Sequence, residues 1–121
     1  MSFLNSHTDL KDRTKQFALA IIELIKNLNQ NLAEKEITKQ LIKSGITVGA
    51  NTRSAFGGNS LKEYKANLSL VIKEADKCTY WIDLLIESNS NVDLTLSKQL
   101  QTEANELVSI FISLVNKSNE R

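Results

Sequence analysis

Ser60-Leu-Lys-Glu-Tyr-Lys-Ala-Asn-Leu-Ser-Leu-Val-Ile-Lys-Glu-Ala-Asp-Lys-Cys-Thr-Tyr-Trp-Ile-Asp-Leu-Leu85 carries the clearest helical signal in the chain. Within it Leu61, Tyr64, Leu68, Val71, Ala75, Cys78, Ile82 and Leu85 follow alternating steps of three and four. That spacing lines one face of an α-helix and forms the seam of a left-handed bundle. Ser60, with Glu63 three residues on, has the form of a capping box that satisfies two otherwise orphaned backbone donors. The spacing predicts a helix over 60–88, about 40 Å long.

The same periodicity extends in both directions, and the chain contains no proline to interrupt it. Upstream, a helix is expected over 8–28, with Thr8 or Asp9 as N-cap and Leu10, Phe17, Ile21, Leu24 and Leu28 turned inward. The polar run Asn29-Gln30-Asn31 ends it. A second helix is expected over 32–57, where Gly57-Gly58 can supply the left-handed residue that terminates a helix. Downstream, Ser88-Asn89-Ser90-Asn91 reads as a turn and Asp93 as the cap of a helix over 93–117. Its inward residues are Leu96, Leu100, Ala104, Leu107, Phe111 and Leu114, and the tail from Lys117 is expected to fray. Four long helices joined by short turns predict an all-α fold, an antiparallel up-down-up-down four-helix bundle, as a single domain over 1–121.

Composition agrees with a folded domain: the 121 residues are 41% hydrophobic and 24% charged, ordinary for a globular chain and too apolar for a disordered one. Cys78 is the sole cysteine, which excludes an intramolecular disulfide and is compatible with a reducing compartment. No apolar run approaches the ~20 residues of a membrane span. The polar start Met1-Ser-Phe-Leu-Asn-Ser-His7 lacks the apolar stretch of a secretory signal. A cytoplasmic protein with no membrane partner is expected.

Helix two differs from the others. Ile37, Leu41, Val48 and Ala55 mark one apolar face, while Ile42, Ile46, Gly49 and Phe56 mark another. A helix covered on two sides needs a partner beyond its own bundle's core. Gly45 and Gly49, one turn apart with Ser44 and Ala50 beside them, suit close approach of another helix backbone. Ile42, Gly45, Ile46, Gly49, Arg53 and Phe56 are therefore the candidate residues of an oligomer interface; the alternative is a loose or kinked helix at Gly45. Asn51 and Arg53 lie in the same stretch, as buried polar groups needing partners or as exposed ones.

Catalytic chemistry finds no support. His7 is the only histidine and precedes the first cap as a solvated tail residue, so neither a Ser-His-Asp triad nor a Glu-x-x-His di-iron pattern can be assembled. Gly45-Ile-Thr-Val-Gly49-Ala-Asn51 lacks the Gly-Lys-Ser/Thr ending of a phosphate loop. Cys78 occupies a seam position, where a thiol acts as a small hydrophobe of raised pKa. Glu74 and Asp76, two residues apart, point to different faces. Trp81, Leu84, Ile21 and Ile22 widen the core or feed an interface. No cofactor and no metal are expected.

The charges suggest a surface instead. Fifteen basic residues stand against fourteen acidic ones. Lys35, Lys39 and Lys43 share a stripe of helix two, Lys62, Lys65, Lys73 and Lys77 make a rougher one on helix three, and helix four carries Glu103 and Glu106. The seven lysines are candidate nucleic-acid contacts, weighed against ordinary solvated surface.

Gln40-Leu-Ile-Lys-Ser-Gly-Ile-Thr-Val-Gly-Ala-Asn-Thr-Arg53, followed by Lys73-Glu-Ala-Asp76 and Tyr80-Trp-Ile-Asp-Leu-Leu85, resembles the four-helix-bundle proteins encoded in 23S ribosomal RNA intervening sequences. The resemblance runs from Phe17-Ala18 to Glu103-Ala-Asn-Glu-Leu107. Asn51 and Arg53 match, whereas Ser54-Ala55 stands where the family has Glu-Ala. The resemblance implies a homopentameric ring with a central channel. Related accessory proteins of diversity-generating retroelements are strongly basic and bind nucleic acid and a reverse transcriptase; this chain is nearly neutral. Two functions from different classes follow: a nucleic-acid-associated accessory module contacting RNA or DNA, or a structural scaffold for a protein partner. An enzyme ranks last.

Overall fold

Helix formation here is set by caps at the ends and apolar stripes between them. A computed structural model describes residues 7–120, with the side chains of His7 and Thr8 outside the described set. Among the described residues four helices form: α1 (His7–Lys26), α2 (Leu32–Ala55), α3 (Leu61–Ser88) and α4 (Leu94–Ser118). Asn31 caps α2, accepting from the Glu34 amide at 2.8 Å while Glu34 Oε1 accepts from the Asn31 amide at 2.9 Å. Ser60 and Glu63 make the same reciprocal pair at α3, and Asp93 caps α4 by accepting from the Leu96 amide at 3.0 Å. Each cap satisfies N–H groups that have no partner within the helix.

The helices are about 30–42 Å long, and the connections 27–31, 56–60 and 89–93 are short. Five residues reach at most ~18 Å, so each following helix must reverse direction. The result is the up-down-up-down bundle, with α1 against α2, α2 against α3, α3 against α4, and α4 closing on α1. Gly58 is left-handed at φ 86° after α2, the conformation expected of the Gly57-Gly58 stop.

Leu41, Val48, Leu68, Val71, Ala75, Cys78, Ile82, Leu85, Ala104, Leu107 and Phe111 are wholly buried and form the centre of one core with Leu10, Phe17 and Ile21. The α3 seam read from the sequence is fully inward from Leu68 to Leu85.

Four ends differ from expectation, the first being α2, which stops at Ala55 with Phe56 as its C-cap rather than running to 57. α1 begins at His7, so Thr8 and Asp9 lie within its first turn and His7 does not precede the helix; Asp9 there favours the positive end of the helix dipole. The expectation that His7 is solvated concerns a side chain outside the described residues, as do those on Met1–Ser6. α1 also stops at Lys26, because the Leu28 amide turns back to the Ile25 carbonyl at 3.0 Å and the capping box at Asn31 starts α2. At the other end α4 continues through a buried Ser118, whose hydroxyl donates to the Val115 carbonyl at 2.7 Å.

Candidate nucleic-acid interface

α2 divides its circumference among three tasks. Leu41, Val48 and Ala55 enter the core. Gly45 and Gly49 face α1: a Cβ on Gly45 would lie 2.6 Å from Ile21 Cδ1, and one on Gly49 would lie 3.5 Å from the Thr14 carbonyl oxygen. The helix that approaches these glycines is thus α1 of the same chain, through the Ile21 side chain at Gly45 and through its backbone at Gly49. Of the other residues expected at an oligomer interface, Ile42 and Phe56 are half-buried on the core, Phe56 with its ring centroid 6.0 Å from that of Tyr64. Ile46, at 51% exposure, and Arg53 remain open to solvent. Asn51 is half-buried and donates from Nδ2 to the Thr47 carbonyl of its own helix at 3.1 Å.

The remaining side of α2 is mostly basic, with Glu36 as its exposed carboxylate, which accepts from Gln40 Nε2 at 3.1 Å. Lys35, Lys39 and Lys43 are exposed, and among the described residues none is ion-paired. Trp81 sets their register against α3: its indole Nε1–H donates to the buried Ser44 hydroxyl at 3.2 Å. Ser44 adjoins Lys43, and Trp81 follows Lys77 by one turn, so Lys43 and Lys77 rim one α2–α3 groove. Lys39 and the exposed Lys73 continue the row along the two helices. Lys77 is half-buried, with Nζ 3.4 Å from Glu74 Oε2. Lys62 is exposed in the first turn of α3. Lys65 is half-buried in step with Ile72, Asp76 and Asp83, on the side turned to α4, because Gln101 of α4 donates to Asp83 Oδ1 at 2.9 Å. The seven lysines therefore do not share one face; Lys39, Lys43, Lys73 and Lys77 follow the outer side of α2 and α3.

The acidic counterpart is engaged elsewhere. Arg13 of α1 donates from Nε to Glu103 Oε2 at 2.6 Å and from Nη2 to Glu103 Oε1 and Glu106 Oε1 at 2.7 and 2.8 Å. Its side chain is 10% exposed, and the hydrogen bond to Glu103 raises its pKa against the opposing effect of burial. The carboxylates of α4 are thereby committed to holding α1.

Cys78 is buried in the α3 seam, and burial, with a smaller contribution from the Glu74 charge, pushes its pKa up to about 12. Such a thiol is a poor nucleophile at neutral pH. Among the described residues no three His, Cys, Asp or Glu side chains are grouped to hold a metal ion. No described helix is long and apolar enough to cross a membrane.

The family model of the 23S rRNA-intervening sequence protein matches residues 7–113, nearly the whole bundle. The chain belongs to this family. A solved structure from Bacteroides thetaiotaomicron, a protein of unknown function from the S23 ribosomal protein family, is 27% identical over 91% of this chain and 97% of its own, with a TM-score of 0.77. Among curated proteins, none matches.

Proposed function

We propose that this intervening-sequence family protein is a non-enzymatic accessory module that assembles as a homopentameric ring and presents the α2–α3 lysine row to the phosphates of RNA or DNA. One observation carries the reading. Among the described residues Lys39, Lys43 and Lys73 are exposed with no carboxylate in an ion pair along a single side of the bundle, and Lys77 shares its charge with Glu74. Phosphate backbones reward such uncompensated cations through counterion release. One copy offers a modest site; a ring repeating it gains avidity from multivalency. The family's name, which ties it to a sequence intervening in 23S rRNA, is consistent with a nucleic-acid context.

A protein-binding scaffold is the second reading. Leu70 and Tyr80, the latter 57% exposed, place apolar surface on α3 close to the same lysines. Light scattering after size exclusion, with the 260/280 nm absorbance ratio recorded across the peak, separates the two. Five copies of the 13.6 kDa chain carrying nucleic acid support the accessory module. The same mass free of nucleic acid, with no binding to added RNA at low salt, supports the scaffold. A monomer contradicts the ring.

A further inference from the structure

Besides Leu70 and Tyr80 of α3, the α1–α2 and α3–α4 seams keep apolar side chains at the surface. On the α1–α2 side, the contacts of Gly45 with Ile21 and of Gly49 with Thr14 fix the register. Helical spacing then places Lys11, Lys15, Ala18 and Ile22 along one edge of that seam, and Lys35, Ile42, Ile46 and Arg53 along the other. Ile22 and Ile46 are exposed, and the charged residues of both rows are basic.

On the α3–α4 side, Gln101 bridges to the Thr79 carbonyl at 3.2 Å and to Asp83 at 2.9 Å. The same spacing lays Ile72, Asp76, Thr79 and Asp83 along α3, and Gln101, Asn105, Val108 and Ile112 along α4. Ile72 and Val108 are half-buried, and Ile112 is 44% exposed. The charges here are acidic apart from Lys65. The asymmetry holds for the whole chain: residues 1–56 carry eight Lys/Arg against five Asp/Glu, and residues 57–121 carry seven against nine.

Because the helices pack in chain order, these two seams lie on opposite sides of the bundle. We infer that the basic, isoleucine-lined α1–α2 seam of one copy docks on the acidic, isoleucine-lined α3–α4 seam of the next. This rests on the self-assembly proposed above and specifies its interface. The occupant is a second copy because the two surfaces complement each other in charge and each offers apolar side chains to the other. Unlike surfaces in contact make a heterologous junction, which repeats until a ring closes. The α2–α3 lysine groove stays free in every copy.

Ile46→Asp and Ile112→Asp break opposite sides of that junction. Both positions are solvent-exposed, and far-UV circular dichroism with thermal melting verifies that each variant is folded. Light scattering of wild type, each variant alone and their mixture reads the outcome. The expected result is assembly of wild type, a monomer for each variant, and a 1:1 dimer in the mixture at high protein concentration. There the intact α1–α2 seam of the Ile112→Asp chain meets the intact α3–α4 seam of the Ile46→Asp chain. Assembly of either variant alone, or two folded variants that stay monomeric when mixed, overturns the assignment while leaving self-assembly intact. A monomeric wild type overturns self-assembly itself. Lys11→Glu with Lys15→Glu supplies a second reading: assembly that weakens in this variant supports charge pairing, and unchanged assembly contradicts it.

Discussion

The α2–α3 seam and the α1–α4 seam belong to one bundle and are held in different ways. Between α2 and α3, wholly buried Leu41, Val48, Leu68, Val71 and Ala75 close an extensive apolar contact, with Trp81 tied to Ser44 at its edge. Between α1 and α4 the contact is the slightest of the four, and its polar tie is Arg13 on Glu103 and Glu106. The first seam draws on burial, which costs nothing in surface charge. The second consumes two carboxylates and one guanidinium. The apolar seam therefore leaves Lys39, Lys43 and Lys73 without an ion pair among the described residues, while the seam with little apolar contact uses its charges for itself.

Removing apolar volume from the stronger seam has the largest expected effect. Leu68→Ala, at a fully buried site, should lower unfolding free energy by about 2–5 kcal/mol in urea titration. A loss below ~1 kcal/mol would mean that the seam collapses around the cavity. Arg13→Met keeps length and apolar bulk while removing the clamp, and should cost about 1–2 kcal/mol, because Glu106 is mostly solvated and Glu103 partly so. Hydrogen exchange should then accelerate in α1 more than in α2 or α3; uniform acceleration would show that the two seams open together.

Cys78 sharpens the comparison through pH. Its folded pKa of about 12 exceeds the ordinary 9.0, so the neutral thiol stabilises the fold fully below pH 9. That contribution is lost as pH rises from 9 toward 12, with a limiting slope of about 1.4 kcal/mol per pH unit. Wild type should lose stability relative to Cys78→Ala across that window, and parallel pH profiles would show an accessible thiol. The smallest effect expected is a gain. A Cβ on Gly49 meets the Thr14 carbonyl at an ordinary 3.5 Å, so Gly49→Ala should stabilise by about 0.5–1 kcal/mol. Gly45→Ala should gain less, because Ile21 Cδ1 must first move. A destabilised Gly49→Ala would show that α1 sits closer to α2 than its contacts indicate.

The apolar rhythm made the fold legible. Leu68 to Leu85 and Leu100 to Phe111 enter the core at the spacing that marks them, and Ser60-x-x-Glu63 announces the start of α3. Asn31-x-x-Glu34 carries the same signature but lies inside a polar run that reads as a loop, so it escaped the sequence reading. The site was legible in part. A lysine stripe can be read along one helix, yet which helix lies across from it depends on Trp81 meeting Ser44 from 37 positions away. The glycine pair correctly announced a close helix neighbour, but spacing cannot tell a helix of the same chain from one of another. Arg13 with Glu103, separated by 90 positions, left no local pattern at all.

Salt-dependent fluorescence anisotropy reads out whether the lysines of the α2–α3 side bind nucleic acid. Single-stranded and duplex RNA and DNA are titrated with wild type and with the Lys39→Gln, Lys43→Gln, Lys73→Gln triple variant from low to physiological salt. The predicted result is affinity that falls steeply and log-linearly with salt for wild type, and a weaker, shallower dependence for the variant. No binding at low salt, or equal slopes for the two proteins, would contradict it.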